Sequence, residues 1–309
     1  MKRKISTLLI VSISIVVIAV ILLNLKASNL TSEQEIIVLI RCDDLGMCHS
    51  VNMAAKELIE TGVPFSASIM FTCPWYQEIV EILKDHPEIS VGVHLTLNSE
   101  WKNYRWGPIM GKEVVPSLVD SCGYFFPSRK LFFANNPEIK EAEQELRAQI
   151  DRAIQSGLQI DYLDYHMSTV VSTPEFRTLL EKLAKEYNLG ISRYFGEIDV
   201  KSIYSVPVKS KTDSLIDAIN SLKPVEMNLV VFHIGLENPE MNALIDLNPF
   251  GLPQMSRHRQ AELKAVCSRK LRKTIKKKNI RLITYRDLIS DLGVETMKSP
   301  VFNTNIYNP

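Results

Sequence analysis

The chain has 309 residues, 46% of them hydrophobic and 23% charged, with a formal net charge of +1. That is ample for one large globular domain, and the size suits an α/β barrel as well as two smaller domains. Residues 1–28 hold Lys2, Arg3, Lys4 and Lys26 and no acid, so the remainder carries 32 basic and 35 acidic side chains, a balance that gives no support to a nucleic-acid or other polyanionic partner.

After Met-Lys-Arg-Lys no charge occurs from Ile5 to Leu25. Twenty-one helical residues rise roughly 31 Å, the thickness of a bilayer's hydrocarbon core. The basic flank favours an inside N-terminus with the rest exported. A cleaved signal peptide and an uncleaved anchor are the two versions. The run is long for a signal core and no small-x-small site follows it, which favours the anchor. Residues 1–28 are therefore expected to be a transmembrane signal anchor, and residues 29–309 a single extracytoplasmic catalytic domain, membrane-anchored or secreted. The five cysteines, Cys42, Cys48, Cys73, Cys122 and Cys267, form no Cys-x-x-Cys pair. That excludes a zinc knuckle, and the odd number leaves at least one thiol free.

From about Glu33 short apolar β-branched runs alternate with helical stretches. Ile36–Cys42 reads as a buried strand, Val51–Glu60 as a helix, Ala67–Phe71 as a second strand, Trp75–Lys84 as a helix and Ser90–Leu95 as a third strand. Residues 98–136 show little periodicity, marking a long functional loop or insertion. Asn136 can cap a helix with Pro137 at its first position, running to Ser156 with Gly157 as its stop. Ile160–Asp164 is a fourth strand, Thr173 starts a helix reaching Tyr187, and Ile191–Arg193 is a weak fifth strand. Asp213–Leu222 is a helix, Asn228–His233 a sixth strand, Arg257–Lys278 one long helix and Ile280–Thr284 a seventh strand. Thr284 can cap a last helix over Tyr285–Leu292. The pattern predicts parallel βαβ units and an α/β fold: a distorted, TIM-like (β/α) barrel of about seven strands, with an open doubly wound sheet as the alternative. The basic run Arg269–Arg281 has an apolar face through Leu263, Val266, Leu271 and Ile275, and reads as a solvated outer helix face.

The polar residues fall at the ends of strands. Asp43 and Asp44 follow strand one, His94 ends strand three, Asp164 and His166 end strand four, and His233 ends strand six. Active sites in such folds form at the strands' carboxyl ends. Asp with two His is a common divalent-metal set that leaves positions for water and substrate. Two adjacent Asp side chains cannot face the same way on a regular strand, so one would bind metal and the other reach its water. No Gly-x-Ser-x-Gly elbow or Gly-x-x-x-x-Gly-Lys loop occurs.

The blocks Arg41-Cys42-Asp43-Asp44-Leu45-Gly46, Val91–Leu97, Ile160–His166, Phe232–Gly235 and Arg257–Leu263, in this order, resemble the YdjC/ChbG-like carbohydrate deacetylases, which are similar to the wider polysaccharide deacetylases. The resemblance covers residues 36–290. It implies that Asp44, His94 and His166 bind one divalent metal ion, magnesium or zinc. It further implies that Asp43 is the general base, and that His233 is the general acid or a substrate contact. Arg259 and Glu262 match an Arg-x-x-Glu block near the site and are expected to contact substrate. Ser168 stands where members often carry a second His, so the substrate contact there differs. The implied reaction is removal of an N-acetyl group from an amino sugar or short oligosaccharide, releasing acetate. Trp101, Tyr104 and Trp106 either stack on sugar rings or form a core within the loop; Trp101 is the substrate contact expected among them. Another metal-dependent amide or ester hydrolase, or a catalytically silent surface carbohydrate-binding protein, would be the alternatives, and the intact polar set argues against the silent one. The expected partners are an N-acetylated sugar and, through residues 1–28, a membrane; a homo-oligomer is compatible with all of this.

Overall fold

The computed structural model describes residues 35–300 apart from 225 and 250. The expected anchor at residues 1–28 lies outside the described residues; among those described, no helix is long and apolar enough to cross a membrane.

Eight strands form the sheet: β1 (Ile36–Leu45), β2 (Ser66–Ile69), β3 (Ser90–Leu95), β4 (Ile160–Tyr165), β5 (Gly190–Ile191), β6 (Ile198–Asp199), β7 (Met227–Phe232) and β8 (Ile280–Ile283). Every pairing is parallel. The order is β5-β4-β3-β2-β1-β7-β6, with β8 pairing β1 off this path. β1 is long enough to pair β8 through Ile36–Leu39 and β2 through Arg41–Leu45. Among the described residues no pairing joins β5 to β6, so the sheet is an open, incomplete barrel. The strand beyond the expected seven is β6, two exposed residues with no apolar run to announce them.

Alternation along the strands sorts side chains into two layers. Val38, Ile40 and Cys42 of β1 join the large core under the helices. The intervening Leu39 packs instead with Tyr162 of β4, Leu229 of β7, Ile283 of β8, Tyr285 and Leu288. Strands several places apart thus touch across the interior. Continuing on that inner face, Leu39 leads to Arg41 and Asp43, Tyr162 to Asp164 and His166, and Leu229 to His233. The interior is apolar at its base and charged at the strands' carboxyl ends. Gly92 on β3 is needed here, because a Cβ would lie 2.4 Å from the Tyr162 ring.

The helices are α1 (His49–Glu60), α2 (Tyr76–Lys84), α3 (Arg129–Ala134), α4 (Ile139–Gln155), α5 (Pro174–Tyr187), α6 (Lys211–Asn220), α7 (Pro239–Asn242), α8 (Met255–Val266), α9 (Arg269–Lys277) and α10 (Tyr285–Leu292). The single helix expected over Arg257–Lys278 is two, because Ser268 breaks it and caps α9, its Oγ accepting from Leu271 N at 3.1 Å. The basic face of α9 is solvated, with Leu271 turned inward and Lys270 reaching Asp213 on α6 at 2.6 Å. Asn136 does not cap α4; it sits at φ +50°, and the helix opens at Ile139. Thr284 does cap α10, in a reciprocal capping box with Asp287.

Residues 98–136 are folded into the body. Phe132, Trp106, Leu118 and Phe125 enter the main core. Buried Glu145 of α4 pins the segment by accepting from Ile109 N and Met110 N, each at 3.1 Å.

Candidate active site and metal centre

The geometry at the end of β1 resolves the problem of two adjacent acids. The register breaks between Cys42 and Leu45, and Asp44 takes φ +65°. A bulge of this kind re-aims a side chain, and Asp is among the few non-glycine residues that tolerate the left-handed region. Both carboxylates therefore reach the interior. Gly46 completes the turn at φ +82°, where a Cβ would meet the Tyr76 Cα at 3.0 Å.

Asp44 Oδ1 lies 3.4 Å from His94 Nε2 and 3.3 Å from His166 Nδ1, and the two ring nitrogens are 3.3 Å apart. Corners of a triangle this size can all stand about 2.0–2.1 Å from one ion, the usual bond length for imidazole nitrogen and carboxylate oxygen. Among the described residues Asp44 Oδ1 is buried without a hydrogen-bond partner, which a cation would provide. The far nitrogen of each ring is held by an acid: His94 Nδ1 by Asp164 Oδ2 at 2.8 Å, and His166 Nε2 by Glu100 Oε2 at 3.0 Å. Carboxylates placed in this way orient metal-binding imidazoles and raise their basicity.

The charge balance fits as well. Four buried acids, Asp43, Asp44, Glu100 and Asp164, meet two buried arginines here, Arg41 and Arg259, while Arg193 at the cavity wall is paired with Asp199. With neutral histidines the formal balance is two negative charges, the amount a divalent ion offsets. In the metal-free protein, burial pushes the His94 pKa down, but Asp164 and Asp44 overcome this and raise it to about 9. His166 is likewise raised against its burial, by Glu100 and Asp44, to about 10. Burial opposes ionisation of Asp44, yet Arg259 and both histidines hold its carboxyl well below the usual range. Asp43, His94 and Asp164 also cluster closely, but Arg41 occupies that group. Its Nε and Nη2 donate to the two Asp43 oxygens, each at 2.7 Å, and its Nη1 lies 2.8 Å from Asp164 Oδ1. Asp44, His94 and His166 are the set free to hold an ion.

His233 stands on the other side of Asp43, with Nε2 4.0 Å from Asp43 Oδ2. It is half-buried, and its ring meets the Tyr204 ring edge-on at 5.3 Å. These groups open into a cavity of about 810 Å³ whose walls include Trp101, Tyr165, Ser168, Arg193, Tyr204 and Asp246. Ser168 and Met167 both have left-handed backbones, at φ +58° and +51°.

Asp43, Asp44, His94, His166 and His233 thus come together, as strand ends should. Trp101 borders the cavity but is only 1% exposed, packed in the main core with its ring 5.8 Å from the Arg259 guanidinium, so it belongs to the loop's core and does not present a ring to substrate. Tyr104 and Trp106 do not line it. Tyr104 donates to the Met47 carbonyl, and Trp106 Nε1 donates to Asn98 O at 2.7 Å. Arg259 borders the cavity, but its Nη2 is committed to Asp44 Oδ2 at 2.6 Å. Glu262 corrects the expectation of a substrate contact. It is absent from the cavity wall, and its carboxylate accepts from His233 N at 2.8 Å and pairs with Lys211 Nζ at 3.0 Å. The sequence reading gave no role to Arg41, Glu100 or Asp164. Asp164 is marked in the sequence by its place at the end of strand four, and the β3–β4 register sets it beside His94; Glu100, in an aperiodic stretch, carries no such mark.

Residues 37–277 match the model of the family described as YdjC-like protein. A carbohydrate deacetylase of Brevibacillus brevis is 27% identical over 260 residues, covering 81% of this chain and 99% of that protein. A carbohydrate deacetylase of Enterococcus faecalis is 30% identical over 165 residues, 53% of this chain and 61% of its own length. A solved structure from Enterococcus faecalis V583, carrying a provisional cellobiose-phosphate cleavage name, superposes with a TM-score of 0.68 at 21% identity, covering 82% of this chain and 99% of that one. At that identity the likeness speaks for the fold alone.

Proposed function

The chain belongs to the YdjC-like protein family, and from that membership we propose that it is a metal-dependent carbohydrate deacetylase, cleaving the N-acetyl group of an amino sugar or short oligosaccharide. Relatives named carbohydrate deacetylase support the reaction class. The observation that carries the metal dependence is the Asp44–His94–His166 triangle with the Arg41-held Asp43 beside it. Its two nitrogens and one oxygen suit zinc, with magnesium the alternative.

A divalent ion held by Asp44, His94 and His166 supplies Lewis acidity, polarising the acetyl carbonyl and making water easier to ionise. Asp43, fixed by the Arg41 fork, accepts a proton from the attacking water. The C–N bond breaks as His233 Nε2 gives a proton to the departing amide nitrogen. The products are acetate and the free amine. The cavity, about 810 Å³, takes the sugar, and Trp101, 1% exposed and covered by the Arg259 guanidinium, backs its wall without an open face for stacking.

The catalytic domain is assigned outside the cytoplasmic membrane, anchored through residues 1–28. The uncharged run Ile5–Leu25 behind a basic start supports this placement.

The test is acetate release by the full chain, purified in detergent, from a panel of N-acetylated mono- and oligosaccharides with and without chelator. Release that needs metal and disappears in Asp43→Asn is the expected result. Bound metal with no acetate from any sugar would redirect the assignment to another amide or ester. No metal bound would remove the ligand set from the argument.

A further inference from the structure

We infer that α8 sets both halves of the catalytic centre through two positioning residues one helical turn apart, Arg259 acting on the ligand Asp44 and Glu262 acting on the proton donor His233. This rests on the deacetylase reading for the roles of those two partners.

Arg259 and Glu262 are separated by three positions, so they share a face of the helix. Both are almost fully buried, at 3% and 2% exposure. Arg259 Nη2 donates to Asp44 Oδ2 at 2.6 Å, while Arg259 Nε and Nη1 have no hydrogen-bond partner among the described residues. Among the described residues, the one hydrogen bond this guanidinium makes therefore goes to the carboxylate whose other oxygen faces His94 and His166. Asp44 sits in a left-handed bulge, and the ion pair fixes the carboxylate's rotation there.

Glu262 works on the other half. Its Oε2 accepts from His233 N at 2.8 Å, and its Oε1 pairs with Lys211 Nζ at 3.0 Å. Lys211, fully buried, also donates to the carbonyls of Ile203 and Tyr204, each at 2.6 Å. The Tyr204 ring packs edge-on against the His233 ring. One buried ion pair thus ties down the His233 backbone and the aromatic ring that orients its imidazole. Neither Glu262 nor Lys211 lines the cavity, so neither can act by touching substrate. A buried ion pair adds little net stability over an apolar pair of the same volume; its evident consequence here is geometric.

The two halves separate experimentally in the full chain. Arg259→Met should raise the zinc dissociation constant, read by competition with a chromogenic chelator, about 10- to 100-fold, as loss of a ligand's supporting partner does. Arg259→Lys keeps the charge, and its intermediate zinc affinity guards against a folding defect in the first variant. The double variant Glu262→Leu with Lys211→Met removes the second support without stranding a buried charge. It should bind zinc within about twofold of wild type, as expected of a change with no contact to the ligands, yet lose at least tenfold in kcat, as misplacement of a reacting group does. Glu262→Gln with Lys211→Met restores an acceptor for His233 N and should recover most of that loss. Wild-type zinc affinity in Arg259→Met would overturn the inference. So would wild-type kcat in the Leu/Met double, or the absence of recovery in the Gln/Met double. If wild type itself releases no acetate, the deacetylase reading fails separately. The His233 ring signals in NMR then replace kcat as the readout, and signals unmoved in the Leu/Met double would overturn the positioning role.

Discussion

His94 Nε2 and His166 Nδ1 face each other across 3.3 Å, with Asp44 Oδ1 within 3.4 Å of both. In the metal-free protein the neighbouring acids raise both pKa values against burial, to about 9 and about 10, which favours protonated rings at neutral pH. An ion entering the triangle must displace those protons. Zinc binding at pH 7 should therefore release protons, and apparent affinity should rise with pH up to the range of the raised values. Calorimetry in buffers of different ionisation enthalpy counts the protons. A count of zero would remove the two rings from the ligand set.

The same shifts fix the sign of a stability effect. Both histidines titrate higher when folded than the ordinary value near 6.5. Their contribution to the metal-free protein is fully present below about pH 6.5 and is lost as pH rises through about 9 to 10. Bound metal replaces the protons and removes this dependence. The gap in Tm between metal-loaded and metal-free protein should therefore widen from pH 6.5 to 9. A constant gap across that window would contradict the raised values.

Arg41 joins three functions in one side chain. It forks Asp43, pairs with Asp164, and donates to Ser192 Oγ at 2.5 Å. Arg41→Met leaves two buried carboxylates without their cation, and should cost about 3–5 kcal/mol in denaturant unfolding. Arg41→Lys keeps a charge but cannot form two parallel bonds. It should stay folded, with kcat reduced at least tenfold, the scale of a poorly held general base. Full activity in Arg41→Lys would mean that the fork does not position Asp43.

Much of this centre could be read from strand ends, because period-two alternation leaves few choices for where His94, His166 and His233 point. The supports were hidden. Arg41 stands near the end of the apolar run Ile36–Cys42, and alternation puts it on the face of Asp43, but only the fold brings Asp164 to its guanidinium. Glu100 comes from a stretch without periodicity and reaches His166 through tertiary packing. The bulge at Asp44 leaves no residue signature of its own, since Asp rather than glycine occupies the left-handed position. The break at Ser268 was legible in principle as a capping residue, but apolar spacing continues across it through Val266 and Leu271. Hydrophobic period alone therefore joined two helices into one. Glu262 is the instructive case: its position near the site was correct, but its carboxylate is turned to the protein rather than the cavity.

Glu100 offers a test of how far the supporting carboxylates matter. It accepts from His166 Nε2 at 3.0 Å, leaving Nδ1 turned to Asp44. Glu100→Gln can present an amide N–H instead, which favours the opposite tautomer. Zinc affinity should fall about 10- to 100-fold, measured by chelator competition. An unchanged affinity would show that packing alone, including the Trp106 edge 6.2 Å from the His166 ring, fixes the imidazole.

Gly92 lies two residues before His94 on β3, under the Tyr162 ring, where a Cβ would stand 2.4 Å from the ring carbon Cζ. Tyr162 cannot swing away freely. It is fully buried, stacks on Tyr285 with ring centroids 4.2 Å apart, and shares a hydrogen bond with Ser68 Oγ at 2.9 Å. Gly92→Ala should therefore destabilise by about 1–3 kcal/mol, the usual cost of overpacking. Tyr162→Leu alone should cost about as much, through lost packing and an unpaired Ser68. Because the two changes meet at one contact, the double variant should be more stable than the sum of the single losses predicts. The displaced ring lies directly below Asp164, the acid that holds His94, so Gly92→Ala should weaken zinc binding too, and the double variant should recover part of it. Strict additivity in denaturant unfolding would mean that the barrel interior yields at this point, and that the apolar base does not set the height of the charged layer above it.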